Sequence, residues 1–150
     1  MPTAAIQPHR VVALALPGVI LLDLAAPTHL FGHLGGRRYR FELAAVRPGP
    51  VTTSTGFEVV APAGLDALRR ADTVVVPGSD DVSPDTATAA LRRAHARGAR
   101  VMSICTGAFA LARAGLLDGR RATTHWAFAV ELARRYPEVD VDPSVLYVDE

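Results

Sequence analysis

The chain carries one cysteine, Cys105, inside the run R-V-M-S-I-C-T-G-A-F-A-L from Arg100 to Leu111. The residues before it, Arg100 to Ile104, form a short apolar run with β-branched side chains, and those after it, Thr106 to Ala114, are small, apolar and helix-forming. This pattern places Cys105 where a strand turns sharply into a helix. A side chain at such a corner is lifted clear of the sheet, and the free N–H groups of the first helical turn surround it with positive potential. The sequence therefore predicts a thiol that ionises more readily than a free one and is usable as a nucleophile. Thr106 is expected to act as cap or polar neighbour, and Gly107 to keep Cβ bulk away from the corner. Hydrolases use the same strand, nucleophile, helix order for serine. A lone cysteine is also commonly a small buried hydrophobe, and placement alone leaves both roles open.

The elements that must position Cys105 follow from hydrophobic periodicity. Val11 to Leu16 reads as a strand covered on both faces, because its apolar run is continuous rather than alternating, and Pro17-Gly18 turns the chain at its carboxyl end. A helix is predicted from near Asp23 to Pro27 through Leu34, where Gly35-Gly36 stops it. Tyr39 to Val46 reads as a second strand, and Val51 to Ala61 as a hairpin turning near Ser54 to Gly56. Leu65 to Arg70 is a short helix, and Thr73 to Val76 a buried strand ending in Pro77-Gly78. Asp85 to Arg97 carries Ala87, Ala90, Leu91 and Ala94 at helical spacing, a crossover into the Cys105 strand. Ala122 to Thr124 is a short strand delivering His125. A helix follows from Trp126 to Tyr136, closed by Pro137, and Val145 to Val148 reads as a last strand. Strands alternating with helices imply an α/β fold, a three-layer sandwich around a mostly parallel, flavodoxin-like sheet, with ligands at the carboxyl ends of strands.

Bulk properties limit the function classes. At 150 residues, 49% hydrophobic and 21% charged, the chain suits one domain with a real core. A net charge of +1 gives no electrostatic footprint for nucleic acid or an anionic membrane. All 16 basic residues are arginines, and their doublets are spread along the chain rather than clustered, which reads as a solvated surface. One cysteine permits no internal disulfide, so a reducing cytoplasm is expected. The apolar run from Val11 to Leu24 is broken by Pro17-Gly18 and ended by Asp23, which fits neither a signal peptide nor a membrane span.

Three strand ends converge in this reading: Asp23 after the Val11 to Leu16 strand, Gly78-Ser79 after the Thr73 to Val76 strand, and Cys105 after the strand that begins at Arg100. His29 and His33 stand four residues apart on a helix, a zinc-like spacing, but no acid follows His29 and no third ligand is evident, so neither a metal nor a cofactor is expected.

Three blocks in order carry a resemblance: P-G-V-I-L-L-D-L-A-A-P at Pro17 to Pro27, S-I-C-T-G-A-F-A-L at Ser103 to Leu111, and A-G-L-L-D-G-R-R-A-T-T-H-W at Ala114 to Trp126. Together they resemble the ThiJ/PfpI superfamily of class I glutamine amidotransferase-like domains, in particular isocyanide hydratases and the N-terminal domains of AraC-type transcription regulators. The resemblance implies that Asp23 hydrogen-bonds the cysteine sulfur, in keeping with an acid that holds its proton among apolar neighbours and donates it. It implies that Gly78 and Ser79 stand for paired glycines whose backbone N–H groups line the pocket, with serine at the second position. His125 matches a histidine that in some members serves the cysteine as a base; holding a loop is its other role.

In a hydratase, the resemblance implies, the Cys105 thiolate attacks the isocyanide carbon, Asp23 shuttles the proton and Thr106 positions the water that releases an N-substituted formamide. In a regulator the same pocket takes a small-molecule effector. D-L-A-A-P-T-H-L-F, S-T-G-F-E-V-V and Y-P-E-V-D-V-D-P-S-V-L-Y-V-D-E favour the regulator. That reading carries further expectations: a homodimer, DNA contacted only through a C-terminal helix-turn-helix domain beyond these residues, no membrane, and a domain spanning 1–150 that stops before its last strand and helix.

Overall fold

The computed structural model describes residues 7–80 and 83–150. In chain order the elements are β1 (His9–Leu14), α1 (Leu21–Pro27), β2 (Tyr39–Ala44), β3 (Gly49–Thr52), β4 (Glu58–Ala61), β5 (Thr73–Val76), α2 (Asp85–Ala96), β6 (Arg100–Ser103), α3 (Ala108–Arg113), β7 (Arg121–Ala122), α4 (Ala129–Arg135) and β8 (Asp140–Val141). Short 3-10 segments at Leu65–Arg70, Cys105–Gly107 and Trp126–Phe128 complete the frame of the site.

The central sheet runs β2-β1-β5-β6 and every pairing in it is parallel, so the carboxyl ends of β1, β5 and β6 open on the same edge. Each face is covered, which is why Val74, Val75 and Val76 are all fully buried and the strand sequence shows no alternation. On one face Val12, Leu14, Ala44, Val74 and Val76 pack under Leu68, under Ala87, Leu91 and Ala94 of α2, and under Leu111 of α3. On the other, Ala13, Ala15 and Ala45 pack under Leu24 of α1 and under Val51 and Ala61 of the β3-β4 hairpin. The fold is thus the expected three-layer α/β arrangement. Leu132 of α4 closes a smaller cluster with Phe109, Ala112 and Val139 beside it.

Two boundaries differ from the sequence reading. The first helix begins at Leu21, before Asp23, and Pro27 lies at its end. Proline has no N–H to donate, and the chain continues as a wider π turn over Thr28–Leu34, with the Thr28 hydroxyl donating back to the Leu24 carbonyl at 2.7 Å. The expected strand at Val145 to Val148 does not form. A strand is made by pairing, and this segment meets none among the described residues: Leu146 is 99% exposed and Tyr147 78%. The pairing falls instead on Asp140–Val141, which joins β7 in parallel.

Candidate functional site

The site is built where three loops leave the sheet edge. After β1, Gly18 N–H donates to the Thr52 carbonyl at 2.9 Å and Ser54 N–H to the Val19 carbonyl at 3.0 Å, so the β3-β4 hairpin holds the loop that leads into α1. Ile20 N–H then donates to the Gly78 carbonyl at 2.8 Å, joining that loop to the end of β5. Asp23, in the first turn of α1, accepts from Gly78 N–H at 3.1 Å. Acid and loop are therefore fixed to each other through one glycine.

Cys105 sits at the corner after β6 with φ 55°, the one positive φ among described non-glycine residues. For a side-chain-bearing residue this left-handed conformation costs about 1–2 kcal/mol, so the surroundings must over-determine it. They do. Ile104 N–H is tied to the Val76 carbonyl at 2.9 Å, Gly107 N–H to the Ile104 carbonyl at 2.9 Å, and the Thr124 hydroxyl donates to the Cys105 carbonyl at 2.8 Å. Gly107 is a necessity of packing: a Cβ there would run into the Val76 carbonyl oxygen. Gly78 is enclosed by side chains, since a Cβ on it would lie 2.6 Å from Asp23 Oδ2 and 2.9 Å from Ile20 Cδ1 and Thr106 Oγ1.

Asp23, Gly78, Ser79, Cys105, Thr106 and Gly107 are thus brought together, as the sequence anticipated. The electrostatics differ. Burial pushes the half-buried Cys105 thiol up; the Thr106 N–H opposes this, while the charge of Asp23 and its hydrogen bond to the thiol reinforce it, and the Thr106 hydroxyl opposes again. The net direction is upward, against the expectation of an unusually acidic thiol. Desolvation and the neighbouring carboxylate favour the protonated sulfur and outweigh the donors at the helix terminus.

The pocket amides are also committed. Gly78 N–H points to Asp23 and Ser79 N–H donates to Thr106 Oγ1 at 3.1 Å. The Thr106 hydroxyl has a single proton and two acceptors in reach, the Ser79 carbonyl at 3.2 Å and the Cys105 sulfur. Thr106 therefore clamps the Ser79 peptide as much as it serves the thiol.

His125 is held by its own segment. Its Nδ1 accepts from Ala127 N–H at 3.2 Å, capping the 3-10 turn that leads into α4, and its ring stacks on Trp126 at 5.5 Å. The polar groups that shift Cys105 are Asp23 and Thr106. His29 and His33 stack with ring centroids 5.1 Å apart, and among the described residues no three His, Cys, Asp or Glu side chains gather to hold a metal ion. Sequence reasoning missed Thr124. It lies in the quoted T-T-H-W block, one residue before the histidine that drew attention, and its hydroxyl is what reaches the elbow.

A cysteine at φ 55° thus stands beside an acid from the first strand end, over an all-parallel central sheet. The profile described as the DJ-1/PfpI family matches residues 9–147. The chain belongs to the DJ-1/PfpI family. A relative from Streptomyces lividans, an uncharacterized protein in the cpoL 5' region, is 44% identical over 87% of this chain and 96% of its own length. The HTH-type transcriptional regulator CdhR of Pseudomonas aeruginosa is 31% identical over 91% of this chain, which spans 42% of that regulator. Isonitrile hydratase of Pseudomonas putida is 38% identical over 77% of this chain and 51% of that enzyme. Among solved structures, a ThiJ/PfpI family protein from Pseudomonas syringae superposes with a TM-score of 0.81 at 25% identity, covering 100% of this chain and 66% of that one. The DJ-1/PfpI domain fits both a regulator and a hydratase. Among the described residues no helix is long and apolar enough to cross a membrane.

Proposed function

We propose that these 150 residues form the effector-binding domain of an AraC-type transcription regulator, acting as a cytoplasmic homodimer and reaching DNA through a helix-turn-helix domain outside them. The observation that carries this reading is the state of the donors around the sulfur. Gly78 N–H is bonded to Asp23 and Ser79 N–H to Thr106, so the amides that would stabilise charge developing on a substrate are already occupied. A thiol pushed up by burial and by Asp23 suits a site that holds or senses a ligand better than one that attacks repeatedly. Similarity to CdhR over 91% of the chain supports the same class.

A second reading, an isocyanide hydratase converting isocyanides to N-substituted formamides, is favoured by one specific feature: Asp23 and Thr106 both interact with the Cys105 thiol, as that chemistry requires. The similarity to isonitrile hydratase over 119 residues points the same way. The test between classes starts with the gene's downstream reading frame. A continuous frame encoding helix-turn-helix units, whose full product footprints promoter DNA, is expected; a frame without them, together with isocyanide turnover, would overturn the regulator.

A further inference from the structure

The sixteen arginines look evenly spread along the chain, yet the fold gathers three of them. Arg10 on β1 and Arg40 on β2 are register partners on adjacent parallel strands, and Arg70 ends the 3-10 turn over Leu65–Arg70 that covers the same face. With Glu42 they rim a concavity of about 170 Å³ whose floor is the buried pair Val12 and Ala67. The side chains of Arg10 and Arg40 stand on neighbouring strands roughly 5 Å apart, so two guanidinium forks share one mouth. Like charges held this close repel unless an anion lies between them.

The ion pairs among the described residues engage Arg69, Arg113 and Arg134, and none involves Arg10, Arg40 or Arg70. Asp72 is near, but its carboxylate accepts from the Arg10 backbone N–H at 2.8 Å rather than lining the concavity. Three guanidiniums against the single Glu42 carboxylate leave a surplus of two positive charges. That matches a phosphate dianion better than a monocarboxylate, and the guanidinium fork bonds phosphate oxygens in pairs. The volume is that of about five or six waters of bulk liquid, room for one or two phosphoryl groups. The cluster lies at the amino ends of β1 and β2, the opposite edge of the sheet from Cys105.

From this we infer that Arg10, Arg40 and Arg70 form a binding site for a phosphate-bearing small molecule, separate from the cysteine pocket. Glu42 is placed to accept from a hydroxyl of such a ligand. Arg40 lies on the edge strand of the sheet and Arg70 at a turn end, both exposed, so neither is needed to hold the fold.

The experiment is titration of the 150-residue chain with inorganic pyrophosphate at fixed ionic strength, with chloride as the matched control, read by calorimetry and by the thermal midpoint. Saturable binding is expected, weakened about tenfold in Arg40→Gln and in Arg70→Gln, the scale of one lost charge-assisted contact. Binding should be unchanged in Arg92→Gln and in Cys105→Ser. Stabilisation equalled by chloride, or retained in full by both Arg40→Gln and Arg70→Gln, would overturn the site. Duplex DNA competing as well per phosphate as pyrophosphate would overturn the small-molecule assignment.

Discussion

Thr124 donates its hydroxyl to the Cys105 carbonyl oxygen at 2.8 Å, bracing from a separate segment the residue whose φ of 55° aims the sulfur out of the sheet. A neutral hydrogen bond of this kind is worth about 1 kcal/mol net. Thr124→Val keeps the shape and removes the bond, so it should lower the thermal midpoint by roughly 2–4 °C. A fall in Thr124→Val that disappears when the elbow residue is glycine would tie the loss to Cys105; an unchanged midpoint would refute the brace.

The left-handed backbone at Cys105 gives its own prediction. Glycine adopts that conformation without steric cost, whereas alanine does not. Cys105→Gly should be more stable than Cys105→Ala by about 1 kcal/mol in denaturant melts. Equal stability would mean that the corner relaxes once the sulfur is gone.

At Gly107, alanine should be the more damaging of the two glycine changes around the elbow. A methyl on Gly107 meets the Val76 backbone carbonyl, which cannot move without disturbing β5, and overpacking of this sort costs about 1–3 kcal/mol. A methyl on Gly78 meets side-chain ends of Asp23, Ile20 and Thr106, whose displacement breaks side-chain contacts but leaves the strand backbone in place. Gly78→Ala should therefore lose less stability than Gly107→Ala while changing the reactivity of Cys105. A Gly78→Ala protein less stable than Gly107→Ala would contradict this ranking.

Because the folded thiol is raised, its contribution to stability is complete below the titration range of an unfolded cysteine and is lost as pH rises through the folded value. The parent chain should lose stability across this alkaline window faster than Cys105→Ser. Asp23→Asn removes the carboxylate charge that helps hold the proton on sulfur, so alkylation of Cys105 in that variant should speed up at a fixed mildly alkaline pH. His125→Ala should leave the pH profile of alkylation where it is and cost about 1 kcal/mol through loss of the cap on Ala127. A profile moved by His125→Ala would return that histidine to the chemistry.

Local signals carried much of the fold. Thr73–Val76 and Leu65–Arg70 were legible to the residue because turn residues bound them and their patterns are unambiguous. Val145 to Val148 has equally good strand composition, but pairing is a property of neighbours and none is present among the described residues. The same division holds at the site. Cys105, Thr106 and Gly107 announce a corner in sequence, and the block beginning at Pro17 led to Asp23. The upward push on the thiol was hidden because it comes from burial and from a side chain 82 positions away, neither visible in a local window. Thr124 was hidden because a threonine in a short strand has no distinguishing mark until its hydroxyl finds the Cys105 carbonyl. Arg10, Arg40 and Arg70 are separated by thirty positions each and meet only through strand register and the covering turn.

The most direct measurement of sensing against catalysis is formamide production by the purified chain supplied with aliphatic and aromatic isocyanides, beside Cys105→Ser and Asp23→Ala. With Gly78 and Ser79 amides already bonded and the thiol pushed up by burial and Asp23, the parent should form no more product than Cys105→Ser, even where alkylation shows the sulfur accessible. Many turnovers per chain, abolished by both substitutions, would contradict the regulator and establish a hydratase.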